Sequence, residues 1–178
     1  MKILGVTELN TDLDKQELYE YINNTAFSKE IKEAIKGMTG VVISSGDNND
    51  INLDFEDLKV IMNHEGMAFS GIGEYDDENS ATEAIKQAII NSSLDYKMMK
   101  KISGILIHFV VHPDLPIMDI AQAMEIIYEN AHYEADIIFG TTTDKSVSPN
   151  YVKATILFTG FEKNSFENMV VNNIEYKQ

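Results

Sequence analysis

The sequence predicts an α/β fold, an α+β two-layer sandwich in which two helices cover one face of a four-stranded mixed sheet. From Phe55 onward, segments with helical spacing alternate with short apolar segments, and such a chain closes its core by laying helices on a sheet. The run Gly104–Val111 is almost entirely apolar, which is typical of a strand in the middle of a sheet. Ser80 and Glu83 have the S-x-x-E spacing of a capping box at the start of a helix.

The first fifty residues are predicted to form an N-terminal helical segment followed by a linker. Residues 2–6 are expected to form a short strand, and residues 14–24 and 28–38 place apolar side chains at helical spacing. Residues 44–50 (S-S-G-D-N-N-D) form a polar connector, because such side chains bond their own backbone in preference to regular ladders. We therefore place a domain boundary between residues 50 and 51.

The predicted domain spans residues 51–160 and contains three helices and four strands. The expected helices are residues 55–64, 80–91 and 118–131, and the expected strands are residues 67–73, 104–111, 136–140 and 151–159. The glycines of the first strand indicate a close backbone approach. The core should contain the apolar side chains of two central strands, namely Ile105, Ile107, Phe109, Ile137 and Phe139. Residues 161–178 lack a strong period and are expected to form a surface tail.

Composition restricts the classes of partner and the cellular compartment. The chain has 29 acidic and 14 basic residues and a formal net charge of −15, so its surface should repel nucleic acid and anionic membranes. The absence of cysteine excludes disulfides and thiolate metal sites and fits a reducing cytosol. The sequence has neither an apolar run of roughly 20 residues, as a membrane span needs, nor a secretion signal. We therefore expect a cytoplasmic protein.

Two neighbouring motifs carry a family resemblance. Residues 52–57 (N-L-D-F-E-D) are followed by the glycine-containing stretch 66–73 (G-M-A-F-S-G-I-G). This N-x-D-x-x-D loop and its G-x-A-x-x-G-x-G strand closely resemble the start of the C-terminal domain of FtsZ, the bacterial tubulin-like GTPase. Further matches follow in the family's order, at residues 84–94, 103–109 (S-G-I-L-I-H-F), 139–144 (F-G-T-T-T-D) and 152–160 (V-K-A-T-I-L-F-T-G). The resemblance covers about 60% of the chain, residues 51–160, and implies the fold of that domain.

The resemblance does not extend to the nucleotide-binding part of the family. No G-G-G-T-G-[TS]-G loop, P-loop or G-x-G-x-x-G turn occurs in the sequence, and such loops supply the backbone N–H groups that hold phosphates. The fifty residues before the loop are too few for that domain, and residues 28–45 correspond in position to the helix that links the two FtsZ domains. We expect no nucleotide cofactor. Because Met1 is followed by a segment outside the resemblance, we expect a complete gene product.

Asp54 and Asp57 are the candidate site residues, and the resemblance implies that they act in trans. In the family this loop reaches the nucleotide pocket of the next subunit in a filament. There the two carboxylates would orient the water that attacks the γ-phosphate, and Asn52 would help to place the loop at the interface. A residue supplied by a neighbour can be decisive, because phosphoryl transfer depends on positioning and electrostatics. The alternative role is a helix-capping box, with Asp54 as N-cap and Asp57 near N3; the two roles are compatible.

His108 and His112 are the strongest candidates for a metal site, and we expect none there. They lie on and after a strand, where residues i and i+4 are about 13 Å apart. A zinc site would also need a third ligand such as Asp114.

Other polar groups favour structural roles. The hydroxyls of residues 141–143 beside Asp144 have no neighbouring base in the sequence and predict a turn. The acidic run 76–78 is expected to be a solvated loop. His64 with Glu65, and His132 with Glu134, are expected to be ordinary surface pairs.

Two classes of function remain. The first is a non-enzymatic, FtsZ-like interaction module that docks through Asn52, Asp54 and Asp57 on FtsZ, on another tubulin-like GTPase or on a copy of itself. A subunit with only one of two complementary faces would terminate filament growth. The alternative is a small-ligand-binding protein or enzyme that reuses the same sandwich, with the His108, His112 and Asp114 cluster as its candidate site. A purely structural self-oligomer is a third hypothesis.

Overall fold

A five-stranded mixed sheet organises the residues that the computed structural model describes, which are 4–6, 15–24, 29, 32, 35 and 50–162. The strands are β1 Leu4–Val6, β2 Gly66–Asp76, β3 Gly104–Val111, β4 Asp136–Thr143 and β5 Tyr151–Phe161. The helices are α1 Lys15–Asn24, α2 Phe55–Met62, α3 Ser80–Asn91, α4 Tyr96–Met99 and α5 Ile117–Asn130. No helix within these ranges is long and apolar enough to cross a membrane.

The sheet has the order β1-β2-β5-β3-β4, and its only parallel pair among the described strands is β3 with β4. The predicted four-stranded mixed sheet is therefore confirmed, and the short N-terminal strand β1 extends it by pairing with the start of β2. A parallel pair needs a crossover connection, which α5 supplies between β3 and β4. The C-terminal ends of these two strands, Val111 and Thr143, consequently lie side by side at the same end of the sheet.

One face of the sheet is covered by α3 and α5, as the sequence predicts. Ile105, Ile107 and Phe109 of β3 are fully buried in the main core cluster beneath these helices. Ile137 and Phe139 were expected in a central strand, and that expectation is wrong. They pack against the core only in part, because β4 is the edge strand of the sheet.

The opposite face carries a second helical layer, which the two-layer description did not include. Leu58, Ile61 and Met62 of α2 pack there with apolar side chains of the sheet, including Leu106 and Leu157. The N-terminal segment joins the same cluster through its fully buried residues Ile22 and Ile35. Parts of residues 1–50 therefore contribute a strand and helical packing to the sheet of the 51–160 domain.

The backbone of α3 lies directly against β2, as the glycines of that strand predict. A Cβ atom at Gly71 or Gly73 would overlap the carbonyl oxygens of Ala88 and Ala84 in α3. Any larger residue at these two positions would force the helix away from the sheet.

The predicted capping box at Ser80 and Glu83 is wrong. Ser80 is already the first helical residue and is buried, while the N-cap is Asn79 in the left-handed conformation with φ of 59°. The Glu83 N–H donates to the Asn79 backbone carbonyl in the first intrahelical bond, and no side chain forms a capping hydrogen bond at this end of the helix.

Three strands run further than predicted, and the first of them, β2, reaches Asp76 instead of residue 73. Strand β4 continues through residues 141–143, so the expected turn there is wrong. Strand β5 reaches Phe161, which is fully buried and meets Phe69 edge-to-face at 5.7 Å. Between the Phe69–Phe158 and Met67–Phe161 pairs the register shifts, and this irregularity turns Phe161 into the core instead of onto the surface.

Several predicted segments lie outside the described residues. These are the connector before Asp50, most of the predicted helix at residues 28–38 and the tail beyond residue 162. Within residues 28–38, the described positions Lys29, Lys32 and Ile35 are helical. The division of the chain at residues 50 and 160 stays a prediction.

Candidate functional site

Asp54 and Asp57 form the predicted capping box at the start of α2. The Asp57 N–H donates to Asp54 Oδ1, and the Asp54 N–H donates to Asp57 Oδ2, each at 2.9 Å. These bonds use one oxygen of each carboxylate. Asp54 is exposed and Asp57 is half-buried, so the two acidic groups are held rigidly while still reaching the surface.

The segment before α2 is fastened to the outer edge of β4. The Thr141 N–H donates to the Ile51 carbonyl, and the Ile51 N–H donates to Thr141 Oγ1, both at 2.9 Å. The Thr143 N–H donates to Asp50 Oδ1 at 2.8 Å. The polar residues that predicted a turn therefore anchor the loop, and the hydroxyl of Thr141 serves as a hydrogen-bond acceptor.

Alternation along this extended segment decides which side chains face solvent. Leu53 is 9% exposed and packs in the second core cluster, while its neighbours Asn52 and Asp54 are exposed. Gly140 makes this approach feasible, because a Cβ there would lie 2.7 Å from the Ile51 carbonyl oxygen. The structure thus brings the three predicted site residues, Asn52, Asp54 and Asp57, to one surface.

The far end of α2 is also tied to the sheet. Thr159 Oγ1 donates to the Ile61 carbonyl at 2.6 Å, and His64 Nε2 lies 2.9 Å from Asp136 Oδ2 at the start of β4. His64 was expected to form a surface pair with Glu65, and this prediction is wrong because its partner is Asp136. With both ends fixed, α2 presents its first turn in a defined orientation, as precise functional sites require.

His108 and His112 do not form a shared site. His108 Nε2 lies 2.9 Å from Thr142 Oγ1, and burial lowers its pKa to about 4 against a smaller opposing effect of Asp50. His112 Nδ1 accepts the Asp114 N–H at 3.1 Å. Among the residues that the structure describes, no three histidine or acidic side chains could hold a metal ion together.

The remaining predicted surface groups, Asp76 and His132, also have hydrogen-bond partners. Asp76 ends β2 and accepts a hydrogen bond from Ser148 Oγ, so it belongs to a strand and not to the loop predicted there. His132 Nδ1 accepts the Glu134 N–H at 3.1 Å, in agreement with a surface pair.

A pocket of about 470 Å³ lies beside the loop, at the C-terminal ends of β3 and β4. Its walls come from Ile51 just before the loop, from the end of β3 with the β3–α5 connection and the start of α5, and from β4. The lining residues are Ile51, Val111, His112, Pro113, Leu115, Ile117, Ile120, Thr141 and Thr143. Sequence reasoning identified the loop but not this pocket, because its walls are separated by up to 92 positions in the chain, from Ile51 to Thr143.

Comparison with known proteins agrees with this architecture. The model of the FtsZ family C-terminal domain matches residues 66–162, more than half of the chain. The cell division protein FtsZ of Helicobacter pylori strain J99 is 36% identical over 132 residues, covering 74% of this chain and 34% of that protein. The cell division protein FtsZ of a Wolbachia species is 33% identical over 173 residues, covering 89% and 42% respectively.

Solved structures show the same relationship. An empty FtsZ dimer from M. jannaschii superposes with a TM-score of 0.58 at 30% identity, covering 80% of this chain and 42% of that one. TubZ protofilaments of Bacillus thuringiensis in the GDP form, at 8% identity and a TM-score of 0.52, share the fold alone. The chain spans about a third to two fifths of the length of these relatives. It belongs to the FtsZ family and carries that family's C-terminal domain.

Proposed function

We propose that the chain is a non-catalytic FtsZ-like interaction module. It docks through loop 52–57 on FtsZ or another tubulin-like GTPase and modulates filament assembly or GTP hydrolysis in trans. The observation that supports this most directly is the pair of carboxylates, Asp54 and Asp57. They are fixed by reciprocal caps on a helix that is anchored at both ends, yet they stay accessible.

The chemistry of hydrolysis supports a role for a fixed pair of acids. Phosphoryl transfer relies on positioning and electrostatics, with little covalent chemistry for the protein to perform. Each capping bond leaves one carboxylate oxygen outside the cap. These oxygens would orient an attacking water on a nucleotide held by the partner, with Asn52 hydrogen bonding across the interface.

Assembly behaviour follows from the complementarity of head-to-tail contacts. The related FtsZ of M. jannaschii has been solved as a dimer, and head-to-tail contacts in filaments join two different faces of each subunit. This sequence contains no glycine-rich phosphate-binding loop. A subunit that offers only the loop face would occupy one filament end in the cytoplasm and stop growth there.

Mixing the chain with nucleotide-loaded FtsZ from the same organism tests the proposal. We expect substoichiometric chain to change the mean filament length and the rate of phosphate release. Unchanged filaments and turnover at low salt, where charge-assisted docking is strongest, would contradict docking on FtsZ and leave self-association as the remaining interaction.

The pocket keeps a second candidate open. Its volume of about 470 Å³ lies in the range of roughly 300–1,000 Å³ that small-molecule sites occupy, so a ligand-binding role remains the alternative. The histidine cluster expected for that role is not assembled, since His112 lines the pocket and His108 does not. Self-association of two chains would have to overcome a net charge of −15 on each.

A further inference from the structure

The pocket beside loop 52–57 has mostly apolar walls and opens onto apolar surface. Ile51 is 36% exposed, Ile117 is 59% exposed and Met118 is 70% exposed. The first two line the pocket, and Met118 follows directly in the first turn of α5. Apolar side chains clustered at the mouth of a concave site mark a binding surface more reliably than scattered ones do.

This apolar surface is continuous with the candidate interface. Ile51 lines the pocket, and the next residue in the chain is the exposed Asn52. The backbone of Ile51 is held on both sides by Thr141, so the wall of the pocket and the start of the loop form one rigid unit. The pocket wall at Ile51 is therefore adjacent to the candidate interface, within reach of a partner seated on Asn52 and Asp54.

Three carboxylates lie next to residues that line the pocket. Asp50 Oδ1 accepts the Thr143 N–H at 2.8 Å, and Asp114 Oδ2 lies 3.6 Å from His112 Nδ1. Asp144 follows Thr143 directly in the chain. Hydrogen bonds from Ser146 hold the pKa of Asp144 below its usual value, which keeps that group charged. These three carboxylates form the acidic rim that an occupant of the pocket meets, so a second copy of the chain with the same rim is disfavoured.

We propose that the pocket receives an apolar side chain of the partner GTPase, flanked on the partner by lysine or arginine. This inference rests on the proposed function and specifies the partner's chemistry. The apolar side chain fills the space between Ile51, Leu115 and Ile117, and the flanking cations pair with the carboxylates of the rim. Apolar anchors in a pocket surrounded by charge are the usual arrangement of strong contacts at protein interfaces.

Two small probes test the chemistry without FtsZ. 3-Methylbutylammonium and 3-methylbutanoate share one apolar group and carry opposite charges. In methyl NMR spectra of the whole chain at millimolar probe, the amine should shift the signals of Ile51, Val111, Leu115, Ile117 and Ile120 several-fold more strongly than the acid. Equal shifts from both probes, or no shifts in these signals from either, would overturn the proposal without touching the role of the loop.

Matched variants test the occupant. Ile117→Gln should weaken binding to nucleotide-loaded FtsZ by about tenfold, because the loss of an apolar anchor typically costs that much. Ile90→Gln serves as the control, since Ile90 is 72% exposed on α3 and does not line the pocket. Equal affinity of the two variants would overturn the pocket inference while docking through the loop stands. A third outcome is that the amine binds in the pocket but the wild-type chain does not bind FtsZ. This result would overturn both the pocket inference and the proposed docking on FtsZ, in favour of a free ammonium ligand.

Discussion

Asp54 and Asp57 cap the same helix reciprocally, each accepting the backbone N–H of the other at 2.9 Å. This pairing gives both residues a structural role whether or not a partner is present. It also fixes the position of two carboxylates at the surface, so the capping and the proposed action in trans use one geometry.

Removing the N-cap should destabilise the fold modestly. Asp54→Ala is expected to lower the free energy of unfolding by about 1 kcal/mol, while Asp54→Asn should change it little, because asparagine caps a helix about as well as aspartate. Urea unfolding of both variants beside the wild type measures this. Equal losses for alanine and asparagine would show that the carboxylate charge, and not the cap, stabilises α2.

A charge in the main core should abolish folding. Ile107 lies in the main core beneath α3 and α5, and its side chain is completely buried, with 0% exposure. An unpaired carboxylate there costs several kcal/mol against a total stability of about 5–15 kcal/mol. Ile107→Asp should therefore lose its cooperative thermal transition, whereas the exposed Ile90→Asp should keep it. A cooperatively melting Ile107→Asp variant would contradict the central position of β3.

The neutral state of His108 makes stability depend on pH. Burial lowers its pKa from 6.5 to about 4, so the unfolded chain binds more protons than the folded chain between these values. The contribution is fully present above about pH 6.5 and is lost as the pH falls towards 4, to a total of about 3 kcal/mol.

His108→Asn should flatten this part of the pH profile, measured as the free energy of unfolding at a series of pH values. His132→Asn is the matched control, because His132 makes its hydrogen bond to the nearby Glu134 backbone. If the two variants have the same slope between pH 6.5 and 4, then His108 does not stay neutral in the folded protein.

Local spacing was enough to predict part of the site and fold. The D-x-x-D pattern specifies a cap within one turn, and the apolar run of β3 identifies a central strand. Contacts between distant segments could not be predicted from local spacing. His64 pairs with Asp136 and Thr141 pairs with Ile51 across 72 and 90 positions, and nothing in the local sequence around any of these residues signals the partner.

Two predictions failed where a strand departs from regular central geometry: the turn at residues 141–143 and the tail that was to begin at Phe161. The threonines of β4 suggested a turn because they are polar, but one edge of that strand bonds the loop segment and so accepts polar residues. Phe161 was placed in a tail because the register shift in β5 interrupts the two-residue alternation.

The chain alone is expected to bind no GTP. Its sequence has no glycine-rich phosphate loop, and its net charge of −15 opposes a polyanionic ligand. Titration calorimetry with GTP and magnesium should give no saturable heat. A micromolar dissociation constant would contradict the proposal of a non-catalytic module.

The most direct test of action in trans compares wild type with the double variant Asp54→Asn/Asp57→Asn on nucleotide-loaded FtsZ. Asparagine keeps the ability to cap α2 but removes both charges. We predict that the variant folds with nearly unchanged stability and loses the effect of the wild-type chain on the rate of phosphate release. Equal effects of the two proteins on that rate would contradict a role for the carboxylates beyond capping the helix.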